Sequence, residues 1–255
     1  MPTRVFEGSQ ARCTWTGTTW TEGEIVAISS DITDRVLDLT FERNVAEMLQ
    51  DLDKTRASSQ WLKQFLEEAV SHDVVPWQVG EAIAETVLKK EHQVIFPWNT
   101  KRDERNPRSS LPGADLVGIS VEPGGHRLVF GEVKSSSDKS SPPSVVTGKN
   151  GMNQQLERLA GDDKLRLSLI KWLFAHVHDQ ETCSSLKEAF AAFVETRGAS
   201  VRLVGMLVRD TDPSEDDVNA RGRSLGEKVT APGSVELHAM YIPRPMAEWI
   251  KWVAA

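Results

Sequence analysis

The chain has 255 residues, of which 26% are charged and 39% hydrophobic, and its formal net charge is −7. These values fit a globular protein with one sizeable domain, and no stretch approaches the roughly 18 uncharged apolar residues that a membrane span needs. The first residues lack the apolar core of a signal peptide, and Cys13 and Cys183 form no disulfide or zinc-binding pattern, so we expect a cytoplasmic protein.

The N-terminal part of the chain is expected to form a mostly helical lobe that covers residues 1–75. The first thirty residues have the pattern of short strands or an irregular cap, and residues 34–53 form a mixed apolar segment that ends as a helix. Apolar side chains recur at helical spacing in residues 58–70, where a serine at the start suits an N-cap. We expect this lobe to be continuous with a core at 76–255.

A second helix is predicted at residues 78–90, after Pro76, which suits the first turn of a helix. Its apolar side chains form one buried arc, and two glutamates lie near that arc. Glu85 precedes Lys89 by four residues, which is the favourable order for an exposed ion pair. Glu81 lies at the edge of the apolar surface without such a partner. We therefore favour Glu81 over Glu85 as the acidic group that this helix would bring to a site.

A short strand at 93–96 and a polar loop at 97–112 follow the helix. The loop holds a group of basic side chains that could reach phosphates beside the hairpin described next: Lys101, Arg102, Arg105 and Arg108. Asp103 and Glu104 cancel half of that charge, so a solvated loop is an equal alternative. The negative net charge argues against a protein that grips DNA alone, since such proteins usually carry a basic surplus or stripe.

Two strands, at 114–121 and 127–134, are predicted around the turn Pro123-Gly124-Gly125. Three charged side chains interrupt their apolar runs at the open end of this hairpin: Asp115, Glu132 and Lys134. If Gly124-Gly125 is a two-residue loop, Asp115 lies opposite Lys134 and diagonal to Glu132, so that all three converge. A three-residue loop would turn Asp115 to the other face unless a bulge restored the register.

Two carboxylates and a lysine at one point suit a divalent metal and an attacking water. Hard oxygen ligands favour Mg²⁺, which would acidify a bound water and offset the charge that grows on a phosphate. Lys134 would orient that water or stabilise the pentavalent transition state. The alternative is a strand end at which a solvated aspartate and a Glu–Lys pair face water.

The order of helix-Glu81, strand-Asp115 and strand-Glu132-Val133-Lys134 resembles the PD-(D/E)xK nuclease superfamily, with Ala114-Asp115 where that family usually has Pro-Asp. The resemblance covers roughly residues 77–159. It implies an α/β fold of the restriction-endonuclease-like type, in which helices flank a central mixed sheet. It also implies hydrolysis of DNA, or of RNA, with Asp115, Glu132 and Glu81 as ligands of Mg²⁺ or Mn²⁺ and Lys134 as a catalytic residue.

Members of that superfamily often carry a glutamine near the metal on the helix that follows the second strand. The helix predicted at 153–160 has two adjacent candidates, and we carry the nucleic-acid-binding role over to Gln154, although spacing does not separate it from Gln155. Further helices are predicted at 164–178, 184–196 and 246–255. Strands are predicted at 201–208, as a buried apolar run, and at 235–242, with a polar loop at 210–234 between them.

The acidic net charge and the lack of an ATPase motif favour a nuclease that works beside a partner. The Gly80-Glu81 helix, the G-x-D strand and the G-E-x-K strand together are similar to the nuclease subunits of bacterial anti-phage defence systems, such as the Hachiman effector, which acts with a helicase. This resemblance implies a helicase or ATPase partner. A catalytically silent nucleic-acid-binding or assembly subunit on the same fold is the alternative, and an α/β domain whose hairpin charges face water is a third.

Overall fold

The computed structural model describes residues 2–38, 43–44, 47, 74–98 and 113–253. The helix expected at 58–70 and the basic group Lys101, Arg102, Arg105 and Arg108 lie outside these residues. Among the described residues, no helix is long and apolar enough to cross a membrane.

In the part of the chain that the structure describes, seven strands form one mixed sheet. In chain order they are β1 (Thr3–Gln10), β2 (Cys13–Thr19), β3 (Val94–Ile95), β4 (Leu116–Glu122), β5 (Gly125–Ser136), β6 (Val201–Arg209) and β7 (Ser234–Tyr241). Their order across the sheet is β1-β2-β7-β6-β5-β4-β3. The central strands β2, β7, β6 and β5 run parallel, whereas β1, β4 and β3 are antiparallel to their neighbours.

Helices cover both faces of the sheet, so the expected α/β class with a mixed sheet between helices is confirmed. In chain order they are α1 (Glu22–Ala27), α2 (Ser29–Leu37), α3 (Pro76–Glu91), α4 (Ser144–Thr147), α5 (Met152–Gly161), α6 (Asp163–His176), α7 (Gln180–Glu195), α8 (Asn219–Lys228) and α9 (Trp249–Val253). The first face, which includes Leu128 and Phe130 of β5, packs against α5, α6 and α7. The second face, which includes Val129 and Val133, packs against α1, α2, α3 and α9.

The first part of the expected N-terminal lobe belongs to this sheet. Residues 3–19 form β1 and β2, which agrees with the short strands expected there, and β2 pairs in parallel with β7 from the far end of the chain. Buried and more exposed residues alternate along β2, which is the pattern of a strand with one buried side. Cys13, Trp15 and Gly17 are buried, and the threonines between them are not. Helices α1 and α2 then return across the second face.

The stretch at 210–234 contains a helix, α8, where a polar loop was expected. Its helical pattern is hidden because it packs through glycines and only one large buried apolar side chain, Leu225. A Cβ added to Gly222 would lie 2.9 Å from Trp15, and one added to Gly226 would lie 2.7 Å from the carbonyl oxygen of Gln10. Glycine therefore permits close contact with β1 and β2 while leaving no apolar periodicity in the sequence.

Candidate functional site

The loop of the β4–β5 hairpin is Pro123-Gly124, since Glu122 pairs with Gly125. The expected Gly124-Gly125 loop is therefore wrong by one position. Gly125 has a φ of +123°, a conformation that glycine adopts easily, and it can thus serve as the first residue of β5. Leu116 pairs with Gly131, so the continued register sets Asp115 opposite Glu132 rather than opposite Lys134. The shift moves both strands by one residue, which keeps Asp115 on the expected face.

Asp115, Glu132 and Lys134 meet in one group, which we call the hairpin cluster. The ammonium nitrogen of Lys134 lies 3.0 Å from Glu132 Oε2 and 3.2 Å from Asp115 Oδ2. The same Asp115 oxygen accepts a hydrogen bond of 2.9 Å from the Val133 N–H. Glu132 is only 1% exposed, while the side chains of Asp115 and Lys134 are 11% and 21% exposed. The cluster thus joins a buried carboxylate to two groups that solvent or a substrate can reach.

The hairpin cluster contains more carboxylates than cationic groups. Burial, and then the neighbouring Asp115, raise the pKa of Glu132 to about 8, although Lys134 opposes both effects. Burial alone would lower the pKa of Lys134, but the carboxylates of Asp115 and Glu132 outweigh it and raise that pKa above its ordinary value. One ammonium therefore does not compensate the carboxylates around it.

Glu81 adds a further carboxylate to this field from helix α3. Burial raises its pKa well above the ordinary value, and Asp115, Glu85 and Glu132 add to the rise while Lys134 opposes it. Helix α3 packs closely on β5 at the preceding residue, because a Cβ at Gly80 would meet the hydroxyl of Ser135. The glutamate expected to join the site therefore shares the electrostatic field of the hairpin cluster.

The exposed pair expected between Glu85 and Lys89 is wrong. Glu85 is 3% exposed, and it forms an ion pair with Arg35 of α2, whose guanidinium also donates a 2.6 Å hydrogen bond to the Trp98 carbonyl. Burial still raises the pKa of Glu85 despite Arg35. Glu85 therefore serves the packing of α2 on α3, whereas Glu81 interacts with the hairpin cluster.

The two glutamines of α5 differ in their surroundings. Gln154 is exposed, and its Oε1 accepts a 2.8 Å hydrogen bond from the Asn150 N–H, so it caps the preceding loop. Gln155 is half-buried, and its Oε1 is buried without a hydrogen-bond partner among the described residues. Gly205 on β6 pairs with Glu132 on β5, and a Cβ on Gly205 would lie 2.9 Å from Leu156 of α5. Helix α5 therefore packs on β6 beside Glu132. Gln154 as a nucleic-acid ligand stays a prediction, and Gln155 is the glutamine with a free buried acceptor.

A second group of possible ligands escaped the sequence analysis because its members are far apart in the chain. One ligating atom from each of His92, Glu236 and His238 lies within 4.8 Å of the other two. Burial raises the pKa of Glu236, but the neighbouring His238 and the hydrogen bonds from Arg202 outweigh this and lower it to about 2. Burial and the neighbouring His238 lower the pKa of His92 to about 4. No motif links a helix end to a strand about 140 residues later, so this group becomes visible only in the fold.

No protein-family model matches the sequence, and no curated protein matches it.

Proposed function

We propose that the protein is a metal-dependent nuclease of the PD-(D/E)xK type, with a restriction-endonuclease-like fold, that hydrolyses phosphodiester bonds of DNA. The observation that carries this proposal is the excess of carboxylates in and around the hairpin cluster. Glu81, Asp115 and Glu132 share one electrostatic field with a single lysine, and the pKa values of both glutamates are raised. A divalent cation would relieve this repulsion, as carboxylate oxygens are the ligands that Mg²⁺ and Mn²⁺ prefer.

The chain order supports the same assignment. Helix α3 precedes the antiparallel hairpin, and helices α4 to α7 then connect β5 to β6, which lies parallel to β5. Asp115 and Glu132 are adjacent across the hairpin, and Glu81 on α3 is coupled to both by electrostatic repulsion. These positions follow the helix-Glu, strand-Asp and strand-ExK order on which the resemblance to the superfamily rests.

Each side chain has a distinct part in the proposed reaction. Asp115, Glu132 and Glu81 would hold the metal, which would acidify a bound water and offset the charge on the phosphate. Lys134 keeps its proton because its pKa is raised, so its ammonium is a hydrogen-bond donor rather than a general base. Its contacts with both carboxylates place it where it can orient the water or stabilise the charge of the transition state.

The proposal also includes a partner subunit that brings DNA to the nuclease. The net charge of −7 is unfavourable for binding DNA without help. We infer a cytoplasmic effector of an anti-phage defence complex, in which a helicase or ATPase subunit delivers the DNA. The alternative is a silent nucleic-acid-binding or assembly subunit, and it is favoured by the lysine, whose contacts with both carboxylates could hold the cluster together without a metal.

The test is cleavage of plasmid and single-stranded DNA with Mg²⁺ or Mn²⁺, with and without the products of neighbouring genes. Glu132→Ala and Lys134→Ala are expected to lower the rate by about 100-fold or more, since each removes a group that acts on the transition state. Glu122→Gln, on the same hairpin but paired with Arg127, is the matched control and is expected to cut like the wild type. Cleavage that survives both alanine substitutions would overturn the assignment of the site. No cleavage in any mixture would favour the silent subunit.

A further inference from the structure

His92, Glu236 and His238 form a second polar group, which we call the histidine cluster, on the other face of the sheet from the hairpin cluster. His92 follows the last residue of α3, and the other two lie on β7. Leu237 lies between Glu236 and His238 on β7, and its side chain packs on the first face of the sheet. Because side chains alternate along a strand, Glu236 and His238 point to the second face. All three are partly buried. This cluster shares no residue with the proposed nuclease site.

The distances within the histidine cluster are close to those of a metal site. His238 Nε2 lies 3.5 Å from Glu236 Oε2. Two ligands of a tetrahedral zinc ion, each bound at about 2.0–2.1 Å, are roughly 3.3–3.4 Å apart. The ligating atom of His92 lies within 4.8 Å of both, so a shift of about 1 Å in its side chain would complete a face of the tetrahedron.

Neighbouring groups orient two of these side chains from behind. The hydroxyl of Thr16 is 2.9 Å from His238 Nδ1, which leaves Nε2 as the nitrogen that faces Glu236. Arg202 donates hydrogen bonds of 2.8 Å and 2.7 Å to the two oxygens of Glu236 and holds its carboxylate in place. Such outer contacts are typical of histidine and carboxylate metal ligands.

One imidazole nitrogen of the cluster has only a long contact. His238 Nε2 is buried and makes no well-formed hydrogen bond among the described residues, and the Glu236 carboxylate that it faces is 3.5 Å away. Arg202 also approaches His92, since its Nη2 lies 3.3 Å from Nδ1. A dication would displace that longer contact while the two shorter bonds to Glu236 remain. Arg202 Nη2 therefore lies between the carboxylate and His92, so that a metal bound by all three side chains would take over the contact with His92 while Arg202 continues to hold the carboxylate.

We propose that His92, Glu236 and His238 bind one Zn²⁺ ion, with water as the fourth ligand. Two imidazole nitrogens and one carboxylate suit Zn²⁺ and not Mg²⁺, which prefers an all-oxygen shell. The ion would tie the end of α3 to β7 and so fix the helix that carries Glu81. The proposal does not depend on nuclease activity.

The test is a titration of the metal-free full-length protein with Zn²⁺ against a chromophoric chelator, together with Co²⁺ absorption spectra. We expect one site in the wild type, with the visible bands of tetrahedral cobalt. His92→Gln and His238→Gln are expected to weaken Zn²⁺ by about 100-fold or more, and Thr16→Val, which removes an orienting contact, by about tenfold. His178→Gln is the control histidine and is expected to bind like the wild type.

Thermal unfolding separates a lost ligand from a lost fold. In EDTA the His92→Gln and His238→Gln variants should unfold at the same temperature as the wild type, whereas Zn²⁺ should raise the melting temperature of the wild type and of His178→Gln but not that of these two variants. Wild-type protein that takes up no Zn²⁺ would overturn the proposal, as would equal affinity in the wild type and both cluster variants. Asp115→Asn is expected to retain Zn²⁺, which keeps this result separate from that of the nuclease proposal.

Discussion

Two buried groups of charge lie at neighbouring strands of the sheet, and they are balanced in opposite ways. One is the hairpin cluster on β4 and β5. The other, which we call the arginine cluster, surrounds Arg209 at the end of β6. Arg209 is 1% exposed and Asp217 is fully buried, and two hydrogen bonds of 2.6 and 2.5 Å join them. Tyr241 and Ser141 each donate a further hydrogen bond of 2.7 Å to Asp217.

The arginine cluster pairs one cation with one anion and surrounds the anion with donors. Arg209 also donates hydrogen bonds to the carbonyl oxygens of Asp138 and Ser140. The cluster therefore holds the loop at 137–143, which follows β5. The hairpin cluster is unbalanced, since it has two carboxylates and a single lysine, and Glu81 adds a third carboxylate to its field. Buried charge that is matched and hydrogen-bonded is a structural feature, whereas buried charge left in excess indicates a place for a cation.

Among the substitutions that test this comparison, the largest loss of stability is expected at Asp217. Asp217→Asn removes the counter-charge of a buried guanidinium, which typically costs about 3–5 kcal/mol of the free energy of unfolding. Urea denaturation measures it, with the exposed Asp216→Asn as the control. A loss below about 1 kcal/mol would mean that the arginine cluster is not the structural element described here.

Glu132 should show a smaller effect with a distinctive pH dependence. Its pKa is raised from 4.5 to about 8, so the folded state keeps a proton that the unfolded state releases. The free energy of unfolding should therefore fall as the pH rises between about 4.5 and 8, by up to roughly 1.4 kcal/mol per pH unit from this group.

Glu132→Gln should flatten that slope in metal-free buffer, because glutamine cannot lose the proton. Denaturation at several pH values in EDTA measures the slope, and Glu122→Gln serves as the control. A slope that is the same in the wild type and in Glu132→Gln would contradict the proposed excess of carboxylate.

The smallest effect is expected where α3 meets β5. Gly80→Ala places a Cβ against Ser135 Oγ, and this contact is expected to cancel the stability of about 1 kcal/mol that alanine otherwise gains over glycine inside a helix. Ser135→Ala should be nearly neutral, since that hydroxyl has no hydrogen-bond partner among the described residues, and it should restore stability to the Gly80→Ala chain. A double-mutant cycle measures the coupling, and purely additive effects would refute the close contact.

Much of the fold was predictable because the signals are local. The helix expected at 78–90 is α3, and the buried run expected at 201–208 is β6, whose nine residues are all buried. The pairing of β2 with β7 was not predictable, since these segments are more than 200 residues apart and neither encodes its neighbour. Helix α8 was missed because glycine contacts replace the apolar stripe.

The candidate site was predictable in composition but not in register. Alternation along the strands sets Asp115, Glu132 and Lys134 on one face whichever two-residue loop forms. The exact pairing depended on the conformation of Gly125, which the sequence leaves open. The true partner of Glu85 is Arg35, 50 residues earlier, so local spacing suggested Lys89 instead.

Calorimetric titration with Mn²⁺ tests the central claim most directly, because it detects the metal before any substrate or partner is needed. We predict one site in the wild type and in Glu122→Gln, and at least about tenfold weaker binding in Asp115→Asn, which loses a charged ligand. Equal binding in all three proteins, or none in the wild type, would contradict the assignment of the hairpin cluster as a metal site.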